Sequence, residues 1–346
     1  MTKPVVLVTG ANGEIGRSLV DALAADGGSD VITIDLSTLP DAMRTLVAAG
    51  YAGNIMDHHL LDQIAAHHEV DVVFHLAALL SARGERDPEL AHQINVEGTL
   101  NVMRMAQNQS SRLGRPVRFL FPSSIAVYGL PSPEEKRAKG RVREEDWNVP
   151  ITMYGCNKLY CEHLGRYFTF HARQLGALAG AARLDFRALR FPGLMSAETV
   201  PAGGTSDYGP GMLHAASEGR PYTCFVEPEA RIPFMAMPDA VRALLEVARA
   251  RRERLSTCVY NIGAFSPTAA QIAQSVALAF PGAKIDYEPD PVRTKIVASW
   301  PEDVDDTRAR VDWGWQPAYT WDRMFEEYLA PALRHGGRRG RDRNQE

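Results

Sequence analysis

Short apolar runs alternate with longer amphipathic stretches through the first two-thirds of the chain. The runs are a few residues long and are bounded by polar residues, which predicts buried strands at Val5–Thr9, Val31–Asp35, Val72–Leu76, Arg118–Pro122 and Phe186–Arg190. The stretches between them repeat apolar residues at helical spacing, which predicts helices such as Ile15–Ala25, Leu90–Gln107 and Met153–Arg173. Strands that alternate with helices favour a parallel sheet covered on both faces. Because such crossovers are right-handed, the predicted fold class is α/β, a Rossmann-type doubly wound parallel sheet.

The pattern changes after Gly193. Glycine, proline and polar residues crowd Pro201–Gly211, and short helices and isolated strands follow as far as Trp321. We expect residues 1–193 to form the main domain. Residues 194–325 are expected to form a smaller C-terminal lobe that mainly binds substrate, with some segments returning to the main sheet.

Three further segments are interpreted as surface rather than function. Ser132–Asp146 is a charged loop and Gln174–Arg183 is an alanine-rich extension of a helix, and both are expected to be solvated. The arginine- and glycine-rich tail over residues 334–346 is predicted to be disordered, as solvated chain ends commonly are.

Composition narrows the class of protein. The 346 residues carry a formal net charge of -4, which argues against a nucleic-acid partner. Apolar runs fall short of the roughly 18 residues that a membrane span needs. Cysteines are few and form no C-x-x-C pair, which argues against a disulfide framework or a metal site. The apolar run Val5–Val8 follows Met1 without a presequence, so a reduced, cytoplasmic location is expected.

A glycine-rich turn follows the first predicted strand and leads into the first predicted helix. Its G-x-x-G-x-x-G sequence is Gly10-Ala11-Asn12-Gly13-Glu14-Ile15-Gly16. Glycines let the backbone approach a pyrophosphate, and a helix N-terminus offers free N–H groups to it. Asp35 closes the second strand, where a carboxylate can accept hydrogen bonds from a ribose diol and would repel a 2′-phosphate. The predicted cofactor is therefore NAD rather than NADP.

Two other segments fit the same cofactor. The strand that begins at Asp71 ends in the small residues of Leu76-Ala77-Ala78, past which a cofactor can run closely. His75 lies within this apolar strand and is interpreted as a core histidine rather than a catalyst. The segment Gly53–Asp57 is placed to flank an adenine ring, with Asn54 and Ile55 as its candidate contacts.

Candidate catalytic residues form a Y-x-x-x-K sequence, Tyr154 and Lys158, on a predicted helix. This spacing places both side chains on one helix face. An ammonium close to a phenol favours the phenolate and lowers the phenol's pKa, which a base at neutral pH requires. Ser123 and Ser124 end the preceding strand and offer a hydroxyl to the reacting oxygen of a substrate. Asn95 is a candidate for ordering a water behind Lys158.

Together these motifs resemble those of the extended short-chain dehydrogenases/reductases over roughly residues 4–193. They are the glycine turn, D-V-V-F-H-L-A-A at Asp71–Ala78, S-S-x-x-V-Y-G at Ser123–Gly129 and Y-x-x-x-K. A further set of motifs is similar to those of the short-chain-type L-threonine 3-dehydrogenases, and this similarity covers nearly the whole chain. They include L-L-S-A-R-G-E at Leu79–Glu85, R-F-P-G-L at Arg190–Leu194, P-A-G-G-T-S-D-Y at Pro201–Tyr208 and S-W-P at Ser299–Pro301.

The resemblance implies oxidation of the 3-hydroxyl of L-threonine with NAD, giving 2-amino-3-ketobutyrate. By it, Tyr154 is the general acid/base, Lys158 orients the nicotinamide ribose, and Ser124 polarises the hydroxyl. The backbone of Leu194 would meet the nicotinamide. Substrate contacts are implied for Ser81, Gly204, Thr205 and Trp300. Because helix pairs of this fold often associate, a homodimer is expected.

The chain departs from the family where Ala202 replaces the first of the usual three glycines, and where Ser132–Asp146 and Gln174–Arg183 are longer. Alternatives therefore stay open. A nucleotide-sugar epimerase or dehydratase shares the dinucleotide half and would need arginines of the second lobe to reach a diphosphate. A non-catalytic NAD-sensing regulator and a dehydrogenase of another small 3-hydroxy acid are the others.

Overall fold

The computed structural model describes residues 3–172, 184–199 and 204–334. Gln174–Arg183, Pro201–Gly203 and residues 335–346 lie outside them. The strands are β1 (Val5–Thr9), β2 (Asp30–Asp35), β3 (Ala49–Ala52), β4 (Val70–His75), β5 (Arg118–Ser124), β6 (Arg141–Val142), β7 (Asp185–Phe191), β8 (Gly193–Met195), β9 (Tyr222–Cys224), β10 (Phe234–Ala236), β11 (Val259–Asn261), β12 (Ile285–Tyr287) and β13 (Asp303–Val304).

Helices connect most of these strands. They are α1 (Glu14–Asp26), α2 (Asp41–Arg44), α3 (His58–His67), α4 (Ser81–Arg86), α5 (Pro88–His92), α6 (Thr99–Leu113), α7 (Pro133–Lys139), α8 (Met153–Phe170), α9 (Tyr208–Ser217), α10 (Met237–Arg249), α11 (Ala269–Ala279), α12 (Pro291–Ser299), α13 (Thr307–Trp313) and α14 (Trp321–Arg323). In the described part of the chain, no helix is long and apolar enough to cross a membrane.

The central sheet has seven strands in the order β11-β7-β5-β4-β1-β2-β3, and every neighbouring pair is parallel. Its strands are buried on both faces, as the residues of β1, β5 and β7 illustrate. The α/β Rossmann-type prediction is confirmed. The strand order reverses between β1 and β4, which opens a crevice at the carboxyl ends of these two strands.

The predicted strands all occur, but two edge strands of the sheet were missed. β3 (Ala49–Ala52) alternates half-buried and exposed residues at one edge, and β11 (Val259–Asn261) is only 3 residues long at the other edge. Edge strands bury less surface than central ones, so their sequences carry a weaker apolar signal. β11 comes from the second half of the chain and returns to the main sheet.

The predicted helix Leu90–Gln107 is interrupted. α5 runs into a π-helical turn at Gln93–Gly98, and α6 continues from Thr99. π-helical turns occur frequently at functional sites because they redirect side chains out of the regular helical register. Asn95 lies within this turn.

Beyond β7 the described residues form short parallel strand pairs. β8 pairs with β10, β9 pairs with β12, and β13 pairs with β6 of the first half. A separate apolar core surrounds these pairs and includes Phe234, Trp300 and Phe325. The proposed division at Gly193 stays a prediction, since α10 packs on α1 and β7 of the main layer.

The interpretation of Ser132–Asp146 as a solvated loop is wrong. The segment contains α7 and β6, and Lys136, Val142 and Glu144 within it are buried. Most of its other charged residues are exposed, while Lys136, Val142 and Glu144 contact α12, β13 and β11 respectively. Arg334, placed at the start of a disordered tail, is helical and donates a hydrogen bond to the carbonyl of Ala279 at 2.6 Å.

Candidate active site

A cavity of about 650 Å³ lies at the carboxyl ends of β1, β4 and β5, where the strand order reverses. It extends from the glycine turn to Trp300. The predicted site residues that line it are Gly10, Asn12, Gly13, Glu14, Ile15, Gly16, Leu76, Ala78, Ser81, Ser124, Tyr154, Lys158, Leu194, Gly204 and Trp300. The structure thus brings one set of residues from both halves of the chain into a single space.

The glycine turn is shaped by close backbone contacts. Gly10 has φ +70°, and a Cβ there would lie 2.7 Å from the backbone nitrogen of Ala77. A Cβ at Gly16 would lie 2.3 Å from the carbonyl oxygen of Gly10. Glycine is therefore required for the turn to reach the loop after β4. No side chain caps the N-terminus of α1, so its first N–H groups remain available to a phosphate.

The residues around this turn fit a dinucleotide. Asn12 Oδ1 is buried at the cavity and has no hydrogen-bond partner among the described residues. The Asp35 carboxylate accepts a hydrogen bond from the backbone N–H of Asn12 at 2.9 Å and so borders the turn. Ala77 donates its N–H to the Thr9 hydroxyl at 3.2 Å. Asn54 is exposed and Ile55 packs beneath Gly98, and neither is among the residues that line the cavity.

Glu14 begins α1 and lies between the two halves of the site. Its carboxylate accepts a hydrogen bond from the Thr199 hydroxyl at 2.9 Å. Burial raises the pKa of Glu14 to about 7, the Thr199 hydrogen bond acts in the opposite direction, and the charge of Asp207 adds to the rise. Glu14 is therefore largely protonated below pH 7 in the absence of a ligand.

The start of α8 places Tyr154 beside Ser124. Thr152 caps the helix by accepting the N–H of Gly155 at 3.1 Å. A Cβ at Gly155 would lie 2.1 Å from the carbonyl oxygen of Ala126, so glycine allows α8 to abut the turn that follows β5. Ser124 Oγ accepts the N–H of Ala126 at 3.1 Å and starts that turn. Both hydroxyls consequently face the same cavity.

Lys158 lies one turn farther along α8 and is buried. Its Nζ donates a hydrogen bond to the carbonyl of Pro122 at 2.7 Å and lies 5.4 Å from the centroid of the Tyr154 ring. Burial lowers the pKa of Lys158 to about 8, while Cys161 and Glu162 act in the opposite direction. Burial also raises the pKa of the Tyr154 phenol. Without a bound cofactor, burial therefore outweighs the lowering of the Tyr154 pKa that the ammonium alone would produce.

Sequence reasoning missed a buried carboxylate behind these residues. Glu162 follows Lys158 by one helical turn and accepts a hydrogen bond from Ser123 Oγ at 2.5 Å. Arg190 of β7 donates to it through Nε at 2.9 Å and Nη2 at 2.6 Å. A carboxylate and a guanidinium in otherwise apolar segments were the signal available, because buried charges are normally paired. Glu162 thus joins α8, β5 and β7 directly behind Ser124.

Asn95 uses its amide to hold the loop after β4. Its Oδ1 accepts the N–H of Leu79 at 2.7 Å, and its Nδ2 donates to the carbonyl of Leu79 at 3.0 Å. The side chain of Asn157 lies 3.4 Å from the same Nδ2. Asn95 therefore positions the backbone that leads to Ser81, and its ordering of a water behind Lys158 stays a prediction.

Two candidate substrate residues from different halves of the chain bind each other. The hydroxyls of Ser81 and Thr205 are 3.1 Å apart, and the N–H of Thr205 donates to Ser81 Oγ at 3.1 Å. Both residues are buried, as is Trp300 at 4% exposure. The contact joins the loop that contains Gly204 and Thr205 to the start of α4. Ser81 and Gly204 line the cavity, whereas Thr205 is not among its lining residues.

His75 lies outside this constellation. Its two ring nitrogens bond the hydroxyls of Thr9 and Thr99 at 2.9 Å each. Burial lowers the pKa of His75 to about 3, and the charge of Lys158 adds to the effect. The ring is neutral and fully partnered, consistent with a core histidine.

Comparisons with known proteins agree with this geometry. Residues 6–263 match the model of the NAD dependent epimerase/dehydratase family. The mitochondrial L-threonine 3-dehydrogenase of Bos taurus is 36% identical over 311 residues, which cover 90% of this chain and 78% of that protein.

Solved structures are similar over almost the whole chain. A monomeric L-threonine 3-dehydrogenase from a metagenome, in its apo form, has a TM-score of 0.83 and 34% identity, covering 96% of this chain and 99% of its own. The holo form of a GalE-like L-threonine dehydrogenase from Cupriavidus necator has a TM-score of 0.81 and 36% identity, covering 95% and 99%. The chain therefore belongs to the NAD-dependent epimerase/dehydratase family, and it is an oxidoreductase whose cofactor is NAD.

Proposed function

We propose that this protein oxidises the 3-hydroxyl of L-threonine with NAD to give 2-amino-3-ketobutyrate. One observation carries the proposal: a single cavity joins the glycine turn, the Ser124, Tyr154 and Lys158 side chains, and an end built from Ser81, Gly204 and Trp300. The similarity to proteins named as L-threonine 3-dehydrogenases supports the same substrate.

The far end of the cavity suits a small amino acid. Ser81 and Gly204 line this end, and the hydroxyls of Ser81 and Thr205 can donate to a carboxylate or accept from an ammonium. The buried indole of Trp300 limits the space beside them. Among the described lining residues the basic side chains are Lys158 and Arg17, and Arg17 Nε donates to the carbonyl of Asn12 at the glycine turn.

The arginines of the second lobe argue against a nucleotide sugar. The candidates for binding its diphosphate are Arg220, Arg231, Arg293 and Arg308, and none of them lines the cavity. Arg220 and Arg308 form ion pairs, with Glu218 and with Glu145 respectively. Arg231 donates to the carbonyl of Ser266 at 2.6 Å, and Arg293 lies 4.1 Å from the centroid of the Phe225 ring. A diphosphate in this lobe would therefore lack the converging cations that it needs.

The proposed roles follow from these positions. NAD, when bound, supplies the acceptor for the hydride that leaves the substrate carbon. Tyr154 takes the hydroxyl proton, Ser124 holds the same oxygen by a hydrogen bond, and Lys158, cationic below about pH 8, favours the Tyr154 phenolate. The cofactor is assigned to Gly10, Asn12, Gly13, Glu14, Ile15, Gly16, Leu76, Ala78, Tyr154, Lys158 and Leu194, which line the cavity, and to Asp35 and Ala77, which contact the glycine turn. Asn54 and Ile55, which are not among the lining residues, stay predictions of the sequence.

Two further proposals concern assembly and location. A homodimer is supported by the aromatic side chains that α8 exposes, Tyr160 at 53%, Tyr167 at 47% and Phe170 at 38%. Light scattering of the purified protein distinguishes a homodimer from a monomer.

A cytoplasmic location is supported by the free cysteines Cys156, Cys161, Cys224 and Cys258.

Absorbance of NADH tests the substrate assignment. L-threonine, D-threonine, L-allo-threonine, L-serine and a UDP-hexose are offered separately with NAD. We expect L-threonine to reduce NAD, and the UDP-hexose neither to react nor to compete. Epimerisation returns the hydride and forms no net NADH, so chromatography of the UDP-hexose is the second readout. If L-threonine is inert at millimolar concentration while the UDP-hexose is epimerised, the substrate assignment is wrong and only the assignment of the dinucleotide site remains.

A further inference from the structure

A buried lysine on α7 supports the substrate end of the cavity from outside it. Ser132 caps α7 by accepting the N–H of Glu135, and Pro133 occupies its first turn. Lys136 is 5% exposed, whereas its neighbours on the helix are exposed. Its Nζ donates a hydrogen bond to the carbonyl oxygen of Val297 in α12 at 3.2 Å.

The same carbonyl oxygen positions Trp300. The backbone N–H of Trp300 donates to Val297 O at 3.2 Å where α12 ends. The carbonyls at a helix C-terminus carry partial negative charge, so an ammonium there stabilises the last turn. Lys136 and the Trp300 backbone therefore share one acceptor, and the indole that follows lines the cavity.

Two more contacts hold this part of the chain from both sides. Before Lys136, the N–H of Leu130 donates to the carbonyl of Ser299 at 2.8 Å. After it, β6 pairs with β13, and the N–H of Asp305 donates to the carbonyl of Val142 at 2.9 Å. The segment 130–142 thus contacts the chain on either side of Trp300. Lys136 is its buried cationic contact, whereas the exposed Arg141 pairs with Asp303 at 3.0 Å.

Burying an ammonium is costly unless its interactions are specific. Within the described residues Lys136 has no ion-pair partner, and Glu302 acts on it by its charge from beyond hydrogen-bond distance. Lys139 on the same helix is the contrasting case: it pairs with Asp146 at 2.8 Å and its side chain is 35% exposed. A lysine that served only solubility would occupy a position like that of Lys139.

We propose that Lys136 is a positioning residue that fixes the end of α12, so that Trp300 closes the cavity against side chains larger than a methyl group. This inference rests on the proposed function in one respect, the small hydroxy amino acid as substrate. The hydrogen bond and the position of Trp300 do not depend on it.

Hydrogen exchange tests the structural link without any substrate. Lys136→Met removes the ammonium and keeps much of the apolar stem, and Lys139→Met is the matched control on the same helix. We expect exchange in peptides spanning residues 296–302 to accelerate about ten- to a hundredfold in Lys136→Met, the usual worth of a hydrogen bond to a charged group. Lys139→Met should leave this exchange unchanged. Unchanged exchange in Lys136→Met, or equal acceleration in both variants, overturns the proposal.

A double-mutant cycle with Trp300→Phe tests the route of the effect. Lys136→Met should raise the KM for L-threonine about tenfold, with the kcat and the KM for NAD little changed, and should increase relative turnover of 3-phenylserine. In the Trp300→Phe background the same replacement should add little, because Lys136 acts through the indole. Additive effects on KM overturn the proposal.

The two failures are distinguishable. If L-threonine and 3-phenylserine are both inert with the wild type, the proposed substrate is wrong, while the exchange experiment still decides whether Lys136 holds α12. If Lys136→Met does not fold, Lys136→Gln is used, which keeps a donor and removes the charge. Its exchange at residues 296–302 should be faster than that of the wild type, and exchange at the wild-type rate would overturn the proposal.

Discussion

The two halves of the cavity are built in different ways. The half made by β1, β4, β5 and α8 takes its functional side chains from the ends of regular elements, each next to its own strand or helix cap. The half made by residues 194–334 rests on short strand pairs between segments that are distant in the chain, such as β6 with β13. A replacement in the first half should therefore remove one chemical group, whereas one in the second should alter the shape of the site.

Glu162 and Glu14 do not follow this division. Glu162 lies in the regular half but bonds side chains of two strands at once. Glu14 belongs to the glycine turn yet is held by Thr199 of the other half. Both carboxyl groups contact segments that are distant in the chain, so they test how independent the two halves are.

The largest effect is expected from Tyr154→Phe, which removes one hydroxyl from the regular half. Turnover should fall by a factor on the order of 10² to 10⁴, the usual range for a positioned general acid/base. The dissociation constant for NAD, measured by fluorescence titration, should change little. Near-normal turnover would mean that the substrate proton leaves by another route.

Glu162→Gln tests whether a residue of the regular half acts through its neighbours, and Asp185→Asn is its matched control. Asp185 forms the other buried ion pair of β7, with Arg187 at 2.6 Å, at the end of the strand away from the cavity. Each replacement leaves a buried guanidinium unpaired and should lower the free energy of unfolding by about 3–5 kcal/mol in urea denaturation.

The pH dependence of kcat should separate these two variants. Glu162 raises the pKa of Lys158, which stands at about 8, so removing the carboxylate lowers that pKa. Lys158 then loses its proton at a lower pH, so the alkaline limb of the kcat profile should shift to lower pH in Glu162→Gln. The limb should stay in place in Asp185→Asn. A common shift in both variants would indicate a general loss of structure.

Glu14→Gln tests the contact between the halves. Burial raises the pKa of Glu14 to about 7 in the folded protein, whereas a glutamate of the unfolded chain has an ordinary pKa of 4.5. Wild-type stability should therefore fall by about 2–3 kcal/mol relative to Glu14→Gln as the pH rises from 4.5 to 7. Urea denaturation of the ligand-free protein at several pH values measures this. Thr199→Val removes a hydrogen bond that lowers the Glu14 pKa, so the loss of stability should extend to higher pH in this variant. If the wild type and Glu14→Gln lose or gain stability in parallel across the pH range, the raised pKa of Glu14 is wrong.

Thr205→Ala should give the smallest effect, confined to substrate binding. The KM for L-threonine is expected to rise roughly ten- to a hundredfold, with the KM for NAD nearly constant. Because Thr205 and Ser81 bond each other, Ser81→Ala combined with Thr205→Ala should cost less than the sum of the single replacements. Equal increases in the KM for L-threonine and the KM for NAD would mean that the effect of Thr205→Ala is not confined to substrate binding.

The sequence by itself determined the five central strands of the sheet, the glycine turn and the Tyr154–Lys158 pair. Apolar runs, helical spacing and glycines that backbone contact requires are local properties, readable over a few neighbouring residues. It also indicated Ser81, Thr205 and Trp300, though through family resemblance rather than through any local rule.

Only the tertiary structure decided which of these residues meet and in what state. The contact of Ser81 with Thr205, the pairing of Glu162 with Arg190, and the raised pKa of Glu14 arise between segments far apart in the chain. Ser132–Asp146 shows the reason most clearly. The composition of this segment is typical of solvated surface, yet Lys136 is buried because α12 packs against α7. Whether a residue is buried depends on which other segment packs against it, and its own side-chain chemistry does not reveal that segment.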